Sequence, residues 1–334
     1  MSTLTSTRIP AGTEPVRRGP RLSGLNWLVW HQHRAAFWTL IALTVLAVGW
    51  MTYQRGQLTD QLESIAGWPH PKADDWDMKV DSGWLTWTGA ALGFIPVVVG
   101  VFLGAPLVAG DLENGTAKLV ASQSVSRVRW LATKLGITAL VVVPLTVVLS
   151  LVFDWWWQPV KDRPTVLDWT SGTGFDTTGP VPVALTLFTL VGGVAIGMLL
   201  RRTLLSMVVT LGFAVAVQLV WSYIRLDLAD IVTVTTRNGV GNEDDFPRLP
   251  GSAYAVDQSY LTANGDLIGW GSCAEATQKA TDACLKDKQV IGWSVDYIPF
   301  SQMSSMQWFG ASVLFALTAA TTVFILFWGR RRLV

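Results

Sequence analysis

Six long apolar stretches divide this chain, and its acidic residues are sorted between the segments that separate them. The stretches run over about 36–53, 86–109, 135–153, 181–200, 203–224 and 308–329. A helix that crosses a bilayer needs about 20 mostly apolar residues, at about 1.5 Å each against a core of about 30 Å. With an even number of crossings, both termini lie on one side. That side holds only Glu14, Asp111 and Glu113, while the other holds the remaining 21 of 24 acids. Of the 25 Lys and Arg, 14 lie on the acid-poor side, crowded against the stretches. The fourth and fifth stretches are parted only by Arg201-Arg202, and two arginines at bilayer centre would cost several kcal/mol, so the pair marks a tight turn. Basic flanks face the cytoplasm. The expected fold is therefore an all-α membrane protein with six transmembrane helices and both termini cytoplasmic, in the cell membrane.

Composition agrees. Half of the residues are hydrophobic, 15% are charged and the mean hydropathy is +0.38. The chain has 18 Trp, many at span ends, including Trp30, Trp38, Trp50, Trp84, Trp87, Trp155, Trp156, Trp157, Trp221, Trp308 and Trp328, where an apolar ring with one polar N–H favours the interface. Residues 1–22 are polar, with no apolar core of a cleavable signal, and read as a disordered cytoplasmic tail. The segment 23–35 reads as an interfacial amphipathic helix, and 330–334 as a basic cytoplasmic tail. Insertions 54–85, 154–180 and 225–307 fall outside; the last, between helices 5 and 6, is long enough for a small folded module. It carries both cysteines, Cys273 and Cys284, and an oxidising exterior would permit a disulfide between them.

What the stretches lack excludes several functions. None has an ionisable residue in its interior, which ion-coupled carriers and proton pumps usually need. The three histidines, His31, His33 and His70, form no zinc or Ser-His pattern within the membrane, so no catalytic or metal site is expected. No Gly-rich phosphate loop ending in Gly-Lys-Ser/Thr is present, so ATP chemistry belongs to a partner. The basic residues form no single stripe, so nucleic acid is not a partner. Glycines recur in the second stretch (Gly89, Gly93, Gly100, Gly104) and the fourth (Gly192, Gly193, Gly197), which allows close helix approach, and Pro144 is expected to kink the third.

The connection 110–130 is the most motif-like segment. Asp111 and Glu113 open it and Lys118 follows, an order that suits a short helix dipole. The stretch PLVAGDLENGTAKLVASQSVSRVRWLATKL resembles the cytoplasmic signature of ABC-2-type transporter permeases, especially an actinobacterial branch. WLVWHQHR (27–34) resembles that family's segment before the first span, and YIPFSQMSSMQW (297–308) its segment before the last. His31 stands where the branch usually has Arg, and Val108-Ala109-Gly110 replaces a charged position ahead of Asp111. The resemblance implies the permease of an ABC exporter. It would work with a separate ATP-binding subunit that holds ATP and magnesium, and with a second permease copy, as homodimer or related heterodimer. Asp111, Glu113, Gly115, Thr116, Lys118, Ser126 and Arg127 would couple to the ATPase. Trp27, Trp30 and Arg34 would anchor the interfacial helix among membrane lipids. Uncharged spans favour an amphiphilic or hydrophobic cargo. The alternative is a non-transporting scaffold or sensor whose outer module binds a ligand; the acid clusters Asp74-Asp75-Trp76-Asp77 and Glu243-Asp244-Asp245 then become candidates, against a solvated loop face.

Overall fold

The computed structural model describes residues 24–65, 67, 80, 82–115, 126–163 and 165–332. Six helices in it are long and apolar enough to cross a membrane: Leu25–Glu63, Gly83–Glu113, Arg127–Val160, Val181–Leu200, Thr203–Ile224 and Phe300–Arg331, here the first to sixth spans. The expected tail over 1–22 and the cluster Asp74-Asp75-Trp76-Asp77 lie outside the described residues. The end of the bundle with Arg127, Lys134, Arg201 and Arg202 is called the basic end, and the opposite one the acidic end.

The fourth and fifth spans have the expected bounds, and Arg201 turns the chain between them in a left-handed conformation (φ 57°). The first span corrects one expectation. No separate helix occupies 23–35; Leu25–Glu63 is one unbroken helix. Ala35 and Ala36 at the expected junction are strong helix formers, with no Gly or Pro to end the first turns. The third span begins where the Ser126 hydroxyl accepts a hydrogen bond from the Arg129 amide (3.3 Å), and Pro144 sits inside it without interrupting the helix.

The second span is not regular. It runs helical over Gly83–Gly93 and Ile95–Val99, widens to a π turn over Gly100–Gly104, and resumes over Ala105–Glu113. Pro96 brings no backbone N–H to the ladder. Side chains of other spans attend to the interruption: Gln218 Nε2 donates to the Gly93 carbonyl (2.7 Å) and Thr189 Oγ1 to the Pro96 carbonyl (2.6 Å).

The fourth span is the hub, with the second, third, fifth and sixth packed on it. Its contact with the second span is backbone on backbone. A methyl on Gly104 would stand 2.5 Å from the Leu190 carbonyl oxygen, one on Gly193 2.6 Å from that of Gly100, and one on Gly197 2.4 Å from that of Ala105. Two small-xxx-small pairs thus face each other, the geometry that lets helices approach without side chains between them. The first span packs chiefly on the third.

At the acidic end, residues 154–180 fold inward. Trp157, Trp169 and Phe175 are fully buried there and Trp156 nearly so; only Trp155 of the Trp155–Trp157 run is exposed as an interfacial ring would be. Trp221 is buried too, its N–H donating to Asp176 (2.6 Å). The long insertion carries β1 (Val232–Thr235), β2 (Tyr254–Thr262), β3 (Leu267–Gly269) and β4 (Val290–Ile298), an antiparallel sheet of order β1-β4-β2-β3, with a helix over Gln278–Asp287. Trp169 ties the sheet to the bundle by donating to the Ser252 carbonyl (2.7 Å) and packing edge-on against Phe300.

Candidate functional site

The connection between the second and third spans leaves the bundle at the basic end, and three side chains brace its start. Asp111 is buried. Its carboxylate accepts from Lys134 Nζ of the third span and from Gln32 Nε2 of the first (2.9 Å). Lys134, 1% exposed, also donates to the Leu107 carbonyl (2.7 Å), and its ammonium stands 5.0 Å from the Trp130 ring. An ammonium so deep in protein is tolerable only with a charged partner and further hydrogen bonds. The first, second and third spans therefore meet on one carboxylate. Asp111, expected to face a partner subunit, has its side chain turned into the bundle.

Glu113 does something different. It lies exposed, and its Oε2 accepts from the Thr203 amide (2.8 Å), the first residue of the fifth span. Amides in a helix's first turn have no intrahelical partner, and the positive end of the dipole favours a carboxylate there. Glu113 thereby links the connection to the turn at Arg201-Arg202.

The other expected coupling residues fall in three groups. Gly115 takes the left-handed conformation (φ 70°), which glycine adopts without steric penalty. Ser126 caps the third span and Arg127 opens it, half-buried. Thr116 and Lys118 lie outside the described residues. Of the expected anchors, Trp27 is exposed and stacks on His31 (centroids 4.9 Å), Trp30 packs on Phe37, and Arg34 is exposed. Three partners of this site went unread in the sequence: Gln32, Lys134 and Thr203. Lys134 carried a signal, a lone charge within the helical run Trp130–Leu135.

A second ionic centre lies at the acidic end. Arg225 Nη1 donates to Asp176 (2.7 Å) beneath the one-turn helix Gly172–Phe175. Burial raises the Asp176 carboxyl above its ordinary value, against the opposing pull of the Arg225 guanidinium and the Trp221 and Arg225 hydrogen bonds. In the long insertion at the acidic end, Cys273 and Cys284 face each other with Cα atoms 5.7 Å apart and sulfurs at bonding distance. No cluster of metal-ligating side chains occurs among the described residues.

A family model described as ABC-2 membrane transporter related matches residues 41–225, more than half of the 334. The chain belongs to this family. No curated protein and no solved structure matches it. As an ABC-2-related transporter it is a multi-pass protein of the cell membrane and a membrane subunit of a transport system, a family whose membership implies association with an ATP-binding subunit. The match covers the first span from residue 41 on, the second to fifth spans, the 110–130 connection and the 154–180 insertion, and ends at Arg225, where the long insertion begins.

Proposed function

We propose that the chain is the permease subunit of an ATP-driven exporter, with its basic end in the cytoplasm and its outer module outside. The observation that carries this reading is the bracing of the 110–130 connection. Asp111 fastens its start to the first and third spans, and Glu113 fastens it to the fifth. A push delivered to this connection by an ATPase reaches four spans through hydrogen bonds and one ion pair, rather than dissipating in a slack loop. The ATPase binds ATP and magnesium, and a second permease copy completes the pathway across the membrane. Trp27, Trp30 and Arg34 sit at the inner interface, where rings and guanidinium match the headgroup depth. Cys273 and Cys284 form a disulfide that staples the outer module.

Amphiphilic or hydrophobic cargo fits the wall chemistry. A cavity of about 440 Å³ between the fourth, fifth and sixth spans is lined by Phe188, Phe213, Trp221 and aliphatic residues. Another of about 400 Å³ lies among the first three spans and is almost wholly apolar. The test is purification in mild detergent with the attached ATPase identified, followed by reconstitution. Glu113→Arg is expected to leave the complex assembled and to abolish substrate-stimulated ATP hydrolysis. Full ATP-dependent export by Glu113→Arg would defeat the coupling assignment, and absence of any ATPase partner would favour the scaffold or sensor.

A further inference from the structure

Asp111 and Glu113 lie on the unbroken helix Ala105–Glu113, yet they reach different neighbours. Asp111 meets Lys134 and Gln32, and Glu113 meets the Thr203 amide. Two positions of an α-helix differ by about 200° around its axis, which suits partners on opposite sides. Further up the same span the helix is held from outside: Thr189 donates to the Pro96 carbonyl and Gln218 to that of Gly93. Between the held part and the two acids lies the π turn, where the Ala105 amide donates to the Gly100 carbonyl. A π turn closes i→i+5 instead of i→i+4, so it takes up one residue more than an α turn. With the upper part held, closing this turn to α would advance everything beyond it by one residue step, about 100° and 1.5 Å. Gly110 would then stand where Asp111 stands, and Leu112 where Glu113 stands. The Lys134 ammonium would face a residue without a side chain, and the Thr203 amide an aliphatic one.

The fourth span leaves room for the wider turn. A methyl on Gly193 would stand 2.6 Å from the Gly100 carbonyl oxygen and 3.0 Å from the Ala105 nitrogen, the two ends of the i→i+5 bond. Gly193 thus lies directly against that bond, and any side chain there would press on it. Phe102 is the outward residue of the turn, 65% exposed, while Gly100, Val101, Leu103 and Gly104 are buried. The surplus residue can therefore be taken out without emptying the core. We infer that the π turn sets the register of the second span's basic end, so that Asp111 and Glu113 rather than Gly110 and Leu112 meet their partners, and that Gly193 is the positioning residue that gives the turn room. A role for this register in transport rests on the coupling reading proposed above; the register itself does not.

The test reads the register by cross-linking the full chain in membranes with a short bifunctional thiol reagent. One variant joins Asp111→Cys to Lys134→Cys. The other joins Gly110→Cys to Lys134→Cys and carries Asp111→Ser, so that neither keeps a charge of the buried pair. The 111 pair is expected to cross-link at least about fivefold faster than the 110 pair, since one residue step turns a side chain to another face. Deleting Phe102 makes the turn α with both flanks in place and should preserve that preference. Gly193→Ala presses on the π bond with the surplus residue still present, and should move cross-linking toward the 110 pair. Deleting Phe102 in the Gly193→Ala background should return it to the 111 pair, or restore folding where Gly193→Ala alone lacks it. The inference is overturned if the chain without Phe102 does not fold or prefers the 110 pair, if folded Gly193→Ala keeps the parent's preference, or if deleting Phe102 brings no rescue. None of these outcomes involves an ATPase, so they stand apart from export by Glu113→Arg, which tests the coupling reading alone.

Discussion

Lys134 and Asp111 lie 23 positions apart, on two helices, in a contact that neither local sequence announces. Removing one partner from a buried ion pair leaves the other charge unpaired in protein, at a cost of about 3–5 kcal/mol. Lys134→Met is therefore expected to lower the thermal unfolding midpoint in detergent sharply, and the double variant Asp111→Leu/Lys134→Met to regain most of the loss. If both behave alike, the pair has no structural role. Asp176 gives a pH signature. Its folded pKa lies above the ordinary 3.8 because burial disfavours the charged carboxylate. The folded state thus holds its proton more tightly than the unfolded one. The stabilising difference is fully present below pH 3.8 and is lost as pH rises through the folded pKa. The unfolding midpoint of Asp176→Asn, minus that of the parent, should therefore climb with pH above 3.8 and stay flat below it. A difference constant across that window would contradict the burial argument. Lys134 counted in sequence only as a basic flank, because a residue at the edge of an apolar run gives no clue to which helix will cover it.

At the scale of elements, the hydrophobic lengths found every span, and Arg201-Arg202 fixed two ends because a charged pair has no place at bilayer depth. The first, third and sixth helices run past the apolar core, since polar helix formers such as Gln, Thr and Arg extend a helix into water without an apolar signal. The π turn at Gly100–Gly104 could not be read, because it answers to the fourth span's backbone rather than to its own residues. That contact is testable. Gly197→Ala forces a methyl to 2.4 Å from the Ala105 carbonyl oxygen and is expected to cost about 1–3 kcal/mol by overpacking. Gly212→Ala, with open space around it, should be neutral or slightly stabilising. Equal midpoints for the two variants would mean the second and fourth helices yield more easily than their backbones indicate.

For the whole molecule, the sorting of acids and bases predicts which end faces the cytoplasm, while the sheet of the long insertion was legible only as a folded module. Its strands pair residues from 232 to 298, and such long-range register leaves no local trace beyond alternation. The basic end is expected inside. Ser126→Cys should react with a membrane-impermeant maleimide only after permeabilisation, whereas a cysteine at exposed Lys279 should react on intact cells; the reverse pattern would invert the molecule. In the long insertion, replacing Cys273 and Cys284 by serine should remove a link across 11 positions and cost about 3 kcal/mol in the chain-entropy model, seen as earlier proteolysis of the sheet in the purified protein.

The first helix leans chiefly on the third, along one flank of a bundle whose remaining members share a common spine. Polar contacts tie it to the second span at both ends, the Gln32 carboxamide on Asp111 at the basic end and the Trp50 N–H on Thr88 at the acidic end. Breaking the former with Gln32→Leu should widen the spread of spin-label distances between the first and fourth helices and leave the second-to-fourth distance sharp.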